Sequence, residues 1–139
     1  MCTEDRNKNC SCLKDTIKII IALQNKELPG CDLETCARPF LGPTPSLICF
    51  NTRPVNLYNC CTGDLWAFPY TLNGETETSS VFRIESLDDC CCTCRILALN
   101  TDEAQKETTP YVTTDSFFTI NLNCVGALKC LNDTYVNNI

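Results

Sequence analysis

The sequence predicts a mainly β fold, an antiparallel β-sandwich or barrel with one N-terminal α-helix and a Cys-bearing N-terminal arm. Three observations predict it. Apolar residues recur at helical spacing only near the start, and beyond residue 45 the period drops to two. Short runs rich in Val, Ile, Phe and Tyr then follow one another, each bounded by turn residues. Apolar residues make up 44% of the 139 and charged residues 20%, the balance of a folded domain with a core of its own. That length fits one domain.

Residues 1–12 read as a flexible arm, since Glu4, Asp5, Arg6 and Lys8 leave it little to bury. It carries Cys2, Cys10 and Cys12. The domain is expected over residues 13–139. Leu13, Ile17, Ile20, Ile21, Gln24 and Leu28 fall on one face of a helix, which Pro29-Gly30 ends. A Pro- and Cys-rich loop follows to residue 45, with Cys31 and Cys36 in it.

Strands are expected at residues 47–50, which include Cys49, at 55–58, and at 65–68, where Pro69 stops the run. The stretch 81–87 is rich in strand formers and pairs with 95–99 as a hairpin across the cysteines at 90–94. Residues 118–124 alternate cleanly and end on Cys124, as a half-buried strand does. After a bend at Gly126, residues 128–131, with Cys130, continue it. Residues 74–80 and 100–110 read as polar loops.

Charge narrows the function. A net charge of −6 and a pI near 4.5 oppose phosphate backbones and anionic lipid, so neither a nucleic acid nor a membrane is an expected partner. The chain has no His, the commonest metal ligand and general base. The polar start lacks the pattern of an export signal. The longest apolar run, residues 17–23, is interrupted by Lys18 and is too short to span a bilayer.

Fourteen residues are Cys. A bridge contributes about 2–4 kcal/mol, and a whole domain needs only about 5–15 kcal/mol. Bridging every cysteine internally would exceed that need, so some thiols are free to bond other chains. In Cys90-Cys91-Cys92-Thr93-Cys94, an extended backbone puts Cys90, Cys92 and Cys94 on one face and Cys91 on the other. Neighbours on one face lie near the limit of bridge geometry, so they must reach other strands or other chains. The between-chain candidates are Cys2, Cys10, Cys12, Cys90, Cys91, Cys92 and Cys94. The internal candidates are Cys31, Cys36, Cys49, Cys60, Cys61, Cys124 and Cys130. The competing reading has the 90–94 cluster bridge internally to Cys31, Cys36, Cys60 and Cys61, with Cys10 and Cys12 pinning the helix start.

Metal chemistry finds weak support. Cys91-x-x-Cys94 has ligand spacing, but no well-separated pair of such knuckles exists, so no metal and no cofactor are expected. A Cys nucleophile lacks a His partner, and no enzyme is predicted. The alternative class is a cytosolic thiol-rich metal-binding or redox protein. A leaderless Cys-rich toxin or inhibitor is a third reading.

Four stretches carry a resemblance: Asn51-Thr52-Arg53-Pro54 with Leu57-Tyr58, Val81-Phe82-Arg83-Ile84-Glu85-Ser86-Leu87-Asp88-Asp89-Cys90, Thr119-Ile120-Asn121-Leu122-Asn123-Cys124, and Ala127-Leu128-Lys129-Cys130-Leu131. Over roughly residues 13–132 the chain resembles the Bacillus spore-coat and exosporium family that includes CotY, CotZ and ExsY. The resemblance implies a structural protein that self-assembles into ordered two-dimensional layers on the spore, hardened by disulfides. It also implies a homo-oligomer that meets other coat or exosporium proteins. Such a protein is made in the mother-cell cytoplasm without a signal peptide and ends on the spore surface. This chain departs from the family in lacking terminal histidines and in having Cys124-Val125-Gly126 where relatives tend to carry Cys-x-Cys. It is also richer in Cys at 60–61 and 90–94. An adaptor that anchors an outer layer is the variant role these departures allow.

Overall fold

The structure, a computed structural model, describes residues 10–25, 50–104, 106 and 109–139. Along the chain run α1 (Ser11–Gln24), β1 (Val55–Asn59), β2 (Phe68–Leu72), β3 (Glu75–Ser79), β4 (Phe82–Asp88), β5 (Cys91–Leu99), β6 (Tyr111–Asn121) and β7 (Val125–Cys130). A short 3-10 turn, Leu122–Cys124, links β6 to β7. The expected fold class holds: mainly β, antiparallel, with one N-terminal helix. No closed barrel forms among the described residues, and the arrangement is sandwich-like.

Five strands make the main sheet in the order β6-β5-β4-β1-β7. Its centre is the β4–β5 hairpin, closed by a two-residue turn in which Asp89 takes φ 55°. The strand after this turn starts at Cys91, so the cysteine cluster is extended from there on, as the alternating reading expected, while Cys90 lies in the turn. β1 meets β4 at a single residue pair, Val55 with Phe82, and then peels away with β7 along its other edge. The 3-10 turn brings this pair back to the end of β6: Leu122 N donates to Cys90 O, and Cys60 N donates to Cys124 O. The chain therefore folds over its own sheet, with Leu57, Leu122 and Val125 buried beside Ile120 and Cys92. Residues 125–130 form a strand on the far edge of the sheet, not the continuation of β6 that was expected.

β2 and β3 form a separate hairpin laid against the core. Phe68 stacks on Phe118 of β6 at 4.1 Å between ring centres, and Phe118 meets Phe82 edge-on at 4.7 Å. Two expectations fail here. The strand runs through Pro69, and residues 75–79 are strand where a polar loop was expected. The turn is Asn73-Gly74 with φ of 54° and 82°, a two-residue turn that flanking strands of normal twist prefer. Counting back from it, Pro69 opposite Thr78 falls at a pair without ladder hydrogen bonds, so its missing N–H costs β3 nothing. β3 is exposed along nearly its whole length and shows no apolar alternation to betray it.

The helix packs as its apolar spacing requires. Ile17 and Ile20 are fully buried, with Leu13 and Ile21 packed at the rim. Gln24 donates from its amide to Ile84 O (2.8 Å) and accepts from Arg53 N (3.0 Å). The helix begins two residues before the expected Leu13, and Asn25 N closes its end on Ile21 O. The expected strand at 47–49, the loop at 31–45 and the helix stop at Pro29-Gly30 lie outside the described residues.

The opposite face of β4 and β5 is polar. Arg83 and Arg95 stand in register and both donate to Glu85 Oε2, at 2.9 and 3.2 Å. Arg83 also donates to Thr52 Oγ1 and Asn51 O, and Arg95 to Thr113 Oγ1 and Thr114 O. The Arg95 guanidinium lies 4.4 Å over the Phe117 ring.

Candidate functional site

Most of the described cysteines gather at one pole. Cys10, the first residue before α1, is bonded to Cys90 in the β4–β5 turn. The helix and the turn are also tied by Lys14, whose Nζ lies 3.2 Å from Asp89 Oδ1. Cys12 sits in the first turn of α1, and Cys91 follows the bonded Cys90 directly; both are free and exposed. The hydrogen bond from Leu122 to Cys90 brings the 3-10 turn to the same pole, and with it Cys124, a third free and exposed thiol. Cys60 lies beside Cys124 through its backbone bond. Cys60 and Cys61 are each in a disulfide, and the 4.0 Å between their sulfurs shows that they are not bonded to one another.

Among the described residues two free cysteines lie inside. Cys92 and Cys94 are two positions apart on the inward face of β5, buried and reduced, with sulfurs 3.7 Å apart. The Cys94 thiol is held well above its ordinary range, first by its hydrogen bond with Cys92 and then by burial. Cys130, free and exposed, stands apart at the end of β7, opposite Val55.

The face alternation expected for the cluster is real for Cys92 and Cys94 against Cys91, but Cys90 occupies the turn. Several assignments move as a result. Cys10 and Cys90, expected to bond other chains, bond each other within the chain. Cys92 and Cys94 are walled in by the core and cannot meet another chain while the fold holds. Cys124 and Cys130, expected to bridge internally, are free and at the surface. Cys2, Cys31, Cys36 and Cys49 lie outside the described residues. A turn that places Cys90 under the helix start is a long-range contact across 80 residues. Local spacing holds no signal for it.

Among the described residues no group of three or more Cys, Asp or Glu side chains is placed to hold a metal ion. No helix among them is long and apolar enough to cross a membrane. What the pole offers chemically is thiol chemistry: among the described residues, three exposed thiols stand near the Cys10–Cys90 disulfide and the disulfide-bonded Cys60.

A family model described as spore coat protein Z matches residues 1–133. The chain belongs to the spore coat protein Z family. No curated protein and no solved structure matches it. The resemblance drawn from residues 13–132 is therefore correct. Membership of the spore coat protein Z family carries a structural role in the spore coat and a place on the spore surface.

Proposed function

We propose that this chain is a self-assembling building block of the outer spore layers, coat, crust or exosporium. Copies associate by non-covalent contacts and are then locked by disulfides between chains. One observation carries the reading: among the described residues, free, exposed thiols stand at two separate places, Cys12, Cys91 and Cys124 at the pole and Cys130 away from it. A chain with one reactive place closes into a dimer. A chain with two can bond different neighbours and extend into an array. Weak contacts set the geometry while errors can still dissociate, and bond formation afterwards makes the arrangement permanent. The same exposed thiols would serve to anchor other coat or exosporium proteins.

The test is a four-site variant, with Cys12, Cys91, Cys124 and Cys130 each replaced by Ser. It should fold as the parent does, judged by far-UV circular dichroism. Electron microscopy of the parent should show extended assemblies, and a non-reducing gel should show a reductant-sensitive ladder that the variant lacks. A ladder unchanged in the variant would remove these thiols from the assembly.

A further inference from the structure

We propose that the Cys10–Cys90 bridge is an exchange site, the acceptor of an exposed thiolate from a second copy of the chain. The inference deepens the reading above, since it states how bonds between chains arise. The thiolate of Cys12, Cys91, Cys124 or Cys130 in one copy attacks Cys90 Sγ in the next. A new S–S bond forms between the chains and the Cys90–Cys10 bond breaks. The electron pair leaves on Cys10 Sγ, which takes a proton from water. One disulfide and one thiolate enter and one of each leaves, so no oxidant is consumed.

Three features of the bridge favour this. The first is access: Cys90 sits half-exposed in a two-residue turn, with the exposed Cys91 next to it and Cys12 two residues from Cys10. Thiols therefore surround the bond wherever two poles meet. The second is the leaving group. Cys10 is the N-cap residue of a 14-residue helix with no acidic side chain in its first turn. A helix N-terminus stabilises a thiolate, and a better-stabilised thiolate leaves faster. The third is redundancy. Ile17 and Ile20 are buried, Gln24 bonds Ile84 O, and Lys14 pairs with Asp89. The helix stays docked when the bond opens, so the bridge can be surrendered without unfolding the domain.

The purified full chain, with its internal bridges intact, is incubated under argon with a chelator and no oxidant. Samples are quenched in acid, their free thiols are counted after unfolding, and bonded peptides are mapped by mass spectrometry. Exchange predicts that covalent multimers accumulate while the number of free thiols per chain stays constant. In the multimers Cys90 is bonded to another chain, and Cys10 becomes alkylatable. Cys10→Ser places a favoured N-cap residue at the helix start and should lose the anaerobic multimers. Multimers that form only with added oxidant, at a cost of two thiols per bond, overturn exchange and leave the assembly reading intact. A Cys90 still bonded to Cys10 in every multimer, or anaerobic multimers that persist in Cys10→Ser, also overturns it. An absence of multimers under both conditions overturns both readings.

Discussion

Gly126 and Cys60 pass so closely that a Cβ on Gly126 would fall 2.8 Å from the Cα of Cys60. Real Cβ atoms do not approach backbone at that distance. Here the antiparallel pairing of β1 with β7 shifts register between Tyr58 and Asn59, and only a residue without a side chain lets the two backbones pass so closely. The contact also positions the pole, because Cys60 N donates to Cys124 O two residues upstream. Gly126→Ala should therefore destabilise the domain by about 1–3 kcal/mol. Its melting temperature should fall by several degrees, and Cys124 should label at a changed rate. A variant as stable as the parent would mean that the close approach can relax.

The two arginines that share Glu85 form a second point of stress. Their side chains are largely buried, Arg83 at 9% exposure and Arg95 at 18%, and one carboxylate serves both. Glu85→Gln leaves two cations in register without it. Hydrogen bonds to charged groups are worth about 1.5–3 kcal/mol, so a loss of about that size is expected in urea unfolding. Replacing Arg95 by Gln in the same chain should recover part of it, a non-additivity that marks direct coupling.

The helix and the central hairpin were legible because their apolar residues repeat at the period of the element that buries them. Ile17 and Ile20 lie under the helix, and Phe82, Ile84 and Ile96 face the core from β4 and β5. β3 was not legible, because Glu75 to Ser79 is exposed and the pattern-based signal needs a buried face. The Asn73-Gly74 turn was the clue to it, and it outweighs the proline that appeared to end the run. β7 was misplaced because its position depends on pairing with β1, far earlier in the chain, and on the close approach of Gly126 to Cys60. The cysteine pole was legible only as alternation along β5. The pairing of Cys10 with Cys90 is tertiary, and no spacing rule reaches it.

Acid should weaken the C-terminal attachment. Arg53 donates from Nε and Nη2 to the two oxygens of Asp133, at 2.6 and 2.8 Å. This hydrogen-bonded pair holds the Asp133 carboxyl below its ordinary value of 3.8. The folded carboxyl thus binds its proton less tightly than the unfolded one. The stabilisation is fully present above the unfolded value and is lost as pH falls through the lower folded one. Asp133→Asn should cost stability at neutral pH, and its melting curve should converge with the parent's in strong acid. Parallel curves down to the lowest pH would show that the pair contributes no pH dependence.

Thiol reactivity should divide the free cysteines among the described residues into two groups. Cys12, Cys91, Cys124 and Cys130 are exposed, whereas Cys92 and Cys94 are 1% and 0% exposed within the core. A brief pulse of iodoacetamide on the native chain should alkylate the first four and spare the last two. Modifying the buried pair requires the core to open. For a domain stable by about 5 kcal/mol or more, their labelling should be slower by on the order of 1,000-fold. The raised Cys94 thiol adds to this, because its hydrogen bond with Cys92 and its burial both disfavour the reactive thiolate. Mildly destabilising urea should bring Cys92 and Cys94 into reaction together, since they share one face of one strand. Labelling of either at the rate of Cys91 would show that β5 does not hold that face against the core.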